Sequence, residues 1–259
     1  MTYSAIAIPP SSAFWDETAR ALLDVTVRSD ARDLSQLRVL VPTFAHAQSL
    51  KAALARQIAG TFIPPAIGTL SGWLDMLPPA GVPASPSERL MSLYATLREQ
   101  GWLKKLFGAR RNTDLLPLAE ILLTLSDELT QAMLPAMQAM PDLADRRWQA
   151  ALETLTPAAR TLLSDETQLV WSIWKSQLDA NDAVALRYRR MLQLASQATQ
   201  PLFWISPVEP DAMEQGFLDA YAVHQAVTVM SLAWQAQAIH PAYAAAWQEI
   251  LSDAPDAGS

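Results

Sequence analysis

The chain has 259 residues, 51% of them hydrophobic and only 17% charged, with a net charge of −7, so no global field draws it to nucleic acid or an anionic membrane, and any DNA contact must come from local patches. It has no cysteine, which excludes a disulfide framework, a thiolate metal site and a thiol nucleophile, and a reducing cytoplasm is the expected setting. Nine tryptophans and the apolar excess point to surface that faces a partner, whereas no apolar run reaches the roughly 18 residues of a membrane span and no secretory leader opens the chain.

The apolar run Ala5-Ile6-Ala7-Ile8 predicts a strand over 4–8, and a helix is expected over 13–24. Between them, where a βαβ nucleoside-triphosphatase carries its phosphate loop, stands Pro9-Pro10-Ser11-Ser12-Ala13-Phe14-Trp15, with no glycine and no lysine. Cradling a triphosphate takes backbone N–H groups, a lysine for the outer phosphates and a hydroxyl for magnesium. Pro9 and Pro10 have no N–H. Ser12 reads as the N-cap of the helix, and Asp16 and Glu17 in its first turn complement the dipole themselves and repel phosphate. ATP binding and hydrolysis are therefore not expected, and no cofactor is implied.

A second strand is predicted over 37–41, ending in Val41-Pro42-Thr43, then a helix over 45–59 with Ala47, Leu50, Leu54 and Ile58 on one face and Gly60 as its stop. A third strand fits 66–70 and leads into Ser71-Gly72-Trp73. Four prolines fall within residues 78–86, a linker that neither helix nor sheet can continue. Everything that follows, up to about residue 200, reads as helical. Ser85-Pro86-Ser87-Glu88 is a capping box. Another helix is expected over 114–131, with Leu118, Ile121, Leu122 and Leu125 facing inward, and one more begins at Thr156-Pro157, burying Leu163, Val170, Trp171, Trp174 and Leu178. Strand signals return at 202–206 and 226–232, separated by a helix over 212–224. The economical architecture is an α/β fold with a parallel sheet of about five strands, formed by 1–77 and 200–251, with an all-helical subdomain (78–199) inserted after the third strand. Residues 252–259 read as a polar tail.

With Ile8-Pro9-Pro10 and Phe14, Val39-Leu40-Val41-Pro42-Thr43 before Ala47, Leu50 and Leu54, and Ile63-Pro64-Pro65 before Ile67-Gly68-Thr69-Leu70, the chain resembles the N-terminal part of inactivated superfamily I helicases, the AddB-type subunits of bacterial helicase–nuclease complexes. The first 77 residues carry most of the likeness, which extends more weakly to the two later strands. The resemblance implies a degenerate RecA-like (P-loop NTPase-like) motor domain in double-strand-break repair and recombination. It also implies an active partner subunit that translocates, and further motor-like and nuclease domains absent from these residues, so that the chain is expected to be a fragment or an unusually short relative.

In active relatives the strand ending here at Thr43 presents a threonine to the DNA backbone, which makes Thr43 a candidate phosphate contact; Thr69 and Trp73 offer a hydroxyl and an aromatic face suited to single strands. The alternatives are that Thr43 caps the following helix and Trp73 fills core. The acidic pair of an active motor should follow the fourth strand, yet Ser206-Pro207-Val208 stands there, and Glu209 and Asp211 read as first-turn charge on the next helix. A nuclease motif is rejected for want of a lysine after Glu214, and His46, His224 and His240 lack second ligands at helical spacing. Two basic clusters, Lys104-Lys105 with Arg110-Arg111 and Arg187-Tyr188-Arg189-Arg190, are candidate phosphate contacts or simply solvated helix faces. Two readings stay open: a catalytically silent motor domain that contacts DNA, and a scaffold that docks an active helicase or nuclease.

Overall fold

The computed structural model describes residues 3–26, 32–78, 81–99, 115–157, 170–171, 173–175 and 182–232. Lys104, Lys105, Arg110, Arg111, Leu163, Leu178 and the 252–259 tail lie outside the described residues. The elements in chain order are β1 (Tyr3–Ile8), α1 (Phe14–Thr26), β2 (Arg38–Leu40), α2 (Phe44–Gln57), β3 (Ala66–Gly68), α3 (Leu70–Leu74), α4 (Pro86–Glu99), α5 (Leu115–Ala139), α6 (Pro141–Glu153), α7 (Ala183–Ser196), β4 (Leu202–Ser206), α8 (Ala212–Ala222) and β5 (Val227–Leu232).

All five strands are parallel, in the order β1-β5-β4-β2-β3. This is a RecA-like α/β sheet with helices inserted between β3 and β4. β4 is central, and its five residues are all buried, as expected of a strand in the middle of a parallel sheet. In register, Ile6 pairs with Met230 and Met230 with Ile205. Ile8, Val39, Phe203, Ile205 and Met230 form one core with Ala19 and Leu22 of α1 and Ala47, Leu50, Ala53 and Leu54 of α2. The three-to-four spacing of the apolar positions on α2 therefore gives its buried face, and the chain reverses after it at Gly60, whose φ of +91° costs little only for glycine.

The described residues fall into two compact units. One holds those up to Trp73 together with Thr199–Glu209 and those from Gln225 on; the other holds those of Leu74–Ala198 and Pro210–His224. The expected division differs at α8, which belongs with the helices and not with the strands it connects. Met213, Phe217, Leu218 and Tyr221 bury its apolar face, and α8 packs against α5 and α7.

Three further expectations change in the helical unit. The helix expected to stop at 131 continues as α5 to Ala139 with Pro135 inside it, because Leu129, Met133 and Met137, one turn apart, pack against Trp171 and Trp174. That packing outweighs the backbone bond Pro135 removes. Ile121 faces out, 65% exposed: the buried stripe of α5 is Leu115, Ala119, Leu122, Ser126 and Thr130, and Ile121 lies about 100° around the helix from Leu122. α6 is not among the expected helices: its N-cap, Met140, makes no side-chain cap, and only Pro141 and Asp142 in its first turn mark its start.

Candidate nucleic-acid interface

In a parallel sheet every strand delivers its following turn to the same edge, and ligands of open α/β folds bind in the crevice there. The turns after β1, β2, β3 and β4 are described there. The one after β1 is closed on itself. Ser11 Oγ accepts from the Ala13 N–H at 3.2 Å and donates to Glu17 Oε1 at 3.3 Å, and the Phe14 N–H goes to the Ser11 carbonyl at 3.2 Å. The capping hydroxyl is thus that of Ser11, and the expected cap, Ser12, is displaced because α1 begins at Phe14. Asp16 does not stand alone: its carboxylate pairs with Arg56 at 2.6 Å. The Ala13, Phe14 and Glu17 N–H groups are taken up inside the turn and Pro9 and Pro10 have none to offer, so the backbone donors that cradle a phosphate are reduced here.

After β2, Thr43 is exposed and its hydroxyl accepts from the His46 N–H at 3.3 Å. After the neighbouring β3, Thr69 Oγ1 accepts from the Gly72 N–H at 3.1 Å. Each threonine caps the helix that follows it, and each hydroxyl keeps its own proton for a further acceptor. The two sit at the ends of adjacent strands, whose spacing is about 4.8 Å. Phe44, next to Thr43, is 71% exposed; sequence reasoning passed over it, although an aromatic residue at the first helical position, three residues before the first buried alanine, was visible.

Trp73 is placed differently from Thr43. It is buried, with the Arg38 guanidinium 4.2 Å from its ring centroid, and its indole leans on Gly68, where a Cβ would lie 2.6 Å from Trp73 Nε1. A base cannot stack on a ring held in this way. After β4, Ser206 Oγ accepts from the Val208 N–H at 3.2 Å. Asp211 caps α8, taking the Glu214 N–H at 2.8 Å while Glu214 Oε2 accepts the Asp211 N–H at 3.1 Å. Both carboxylates therefore serve the helix start. Since β5 lies between β1 and β4, the turns after those two strands are roughly 9–10 Å apart.

In the helical unit the Arg187–Arg190 run does not make one patch. Tyr188 is buried and packs its hydroxyl on Gly216; burial, then the Asp219 charge, pushes its pKa up. Arg190 donates to the carbonyls of Leu74 and Leu77, a cation at the end of α3. Arg187 and Arg189 are exposed but point about 200° apart on the helix.

Among the described residues no helix is long and apolar enough to cross a membrane. No known protein family matches the sequence, and no curated protein does.

Proposed function

We propose that the chain is a catalytically silent, motor-like domain of an AddB-type helicase–nuclease, which contacts DNA in the cytoplasm during double-strand-break repair while an active partner subunit hydrolyses ATP. The observation that carries this reading is the self-closed β1–α1 turn in a RecA-like sheet: the fold has the position of a phosphate loop, filled by Pro9, Pro10 and a serine that spends its hydroxyl on its own helix. Support for DNA contact comes from Thr43 and Thr69 at the carboxyl edge, with Phe44 beside them. Trp73 and Arg190 are withdrawn from that role by the contacts they already make.

The test is a titration of fluorescent single-stranded and forked DNA at low and moderate salt, followed by anisotropy, alongside an ATPase assay. Binding at roughly 1–100 μM that weakens with salt, is unaffected by ATP, and falls in Thr43→Glu is the expected result. ATP turnover by the chain itself would sink the silent-motor reading. The scaffold reading is favoured by exposed Phe44 and Val208 at the ends of adjacent strands β2 and β4; the absence of DNA binding at about 100 μM would select it.

A further inference from the structure

The helical unit holds a cavity of about 280 Å³ at the start of α8. Ala183, Val184, Arg187 and Met191 line it from one face of α7, Asp211, Met213 and Glu214 from α8, and Gln131 from α5. Its floor is apolar: Met191 and Met213 are both buried, and methionine adapts its shape to what sits on it. The volume lies just under the range of about 300–1,000 Å³ typical for drug-sized ligands, so the occupant is small.

The polar groups at the rim restrict its charge. Both Asp211 oxygens are committed, one to the Glu214 N–H at 2.8 Å and the other to Gln131 Nε2 at 2.7 Å. Glu214 gives one oxygen to the Asp211 N–H, and its other oxygen makes no hydrogen bond among the described residues. Arg187 is exposed and close enough to Glu214 to influence its ionisation. A simple anion would meet two carboxylates against one guanidinium. A simple cation is drawn by that balance but leaves the Arg187 guanidinium without a counter-charge. A molecule with an ammonium for Glu214, a carboxylate for Arg187 and a short apolar group for the methionine floor matches all three.

We propose that this cavity binds a free α-amino acid with an unbranched or γ-branched apolar side chain, leucine or methionine in size. The proposal is independent of DNA binding, and its test contains no nucleic acid. Isothermal titration of the full chain with L-methionine and L-leucine should give saturable binding with Kd of about 1 mM or tighter, the range a ligand of so few atoms can reach. Two analogues of methionine act as controls on the unaltered protein: 3-(methylthio)propylamine, which lacks the carboxylate, and 3-(methylthio)propionate, which lacks the amine. Each should bind at least about tenfold more weakly, the loss of one charged hydrogen bond. Arg187→Ala, an exposed position, should weaken L-methionine by a similar factor and leave the amine unaffected. The absence of saturable heat at about 10 mM amino acid, or equal binding of all three compounds, overturns the proposal whether or not the variant folds.

Discussion

The two units are stabilised in different ways. In the sheet-bearing unit a single apolar core joins strands and helices, and an ion pair, Arg56 with Asp16, lies at the surface with side chains 57% and 38% exposed. The helical unit also has an exposed ion pair, Lys175 with Asp145 at 2.6 Å, but in addition it buries polar links. Arg89 bridges Asp127 at 2.5 Å and Asp182 at 3.0 Å, the latter only 3% exposed, and Asp182 also caps α7 through the Ala185 N–H at 2.8 Å. Trp174 donates its indole N–H to Thr130 at 2.9 Å inside the bundle. Strands have a ladder to fix their register, whereas helices packed on apolar stripes can slide; buried polar pairs that must meet remove that freedom.

The largest expected effect tests the cores directly. Trp174→Ala empties a fully buried site and takes away the Thr130 partner, and should cost about 3–5 kcal/mol; Leu50→Ala in the sheet core should cost about 2–5 kcal/mol. Denaturant unfolding followed by circular dichroism measures both. If the tryptophan variant proves the milder of the two, the bundle relaxes into the space and its packing is looser than described.

The ion pairs should separate the units more sharply. Arg89→Met leaves Asp182 buried without its cation, which should cost about 3–5 kcal/mol, whereas Asp16→Ala, at the surface, should cost about 0–1 kcal/mol. Equal losses in the same unfolding experiment would mean that the Arg89 pairs are as solvated as the surface one.

The smallest effect is a difference in sign. Glu214 is pushed up from its ordinary value, first by burial and also by the Asp211 charge, against the Asp211 N–H and Arg187. A pKa raised by folding gives stability that is full below the unfolded value and lost as pH rises through the folded one. The stability gap between wild type and Glu214→Gln should therefore move in favour of Gln as pH rises above the unfolded glutamate value of about 4.3. Asp33, in the sheet unit, is held low by hydrogen bonds from the Ser35 hydroxyl and N–H, so its contribution is present above the unfolded value and fades as pH falls; the gap to Asp33→Asn should move in favour of wild type as pH rises. Parallel curves for the two variants would show that Glu214 is solvated.

The sequence alone was enough for the strands and for most of the helices. Buried parallel strands read as short apolar runs, as at Leu202-Phe203-Trp204-Ile205, and Ser85 does cap α4, accepting the Glu88 N–H at 3.1 Å. The alternatives left open for Thr43 and Trp73 were narrowed only by contacts: a capping hydroxyl at 3.3 Å from the His46 N–H, and a ring held between Arg38 and Gly68. Four neighbouring letters, Arg187-Tyr188-Arg189-Arg190, looked like one basic patch, but a helix turns each residue by 100° and sends one arginine to a cavity, one to carbonyls and a tyrosine inward. Local order in the chain determined the elements, because periodicity and turn chemistry act over a few residues. The tertiary structure decided which unit α8 joins, how far α5 runs past Pro135 and which polar groups meet at the cavity, since each depends on partners some 40 to 80 positions away, as from Trp174 to Thr130 or from Asp211 to Gln131, and no local pattern encodes them.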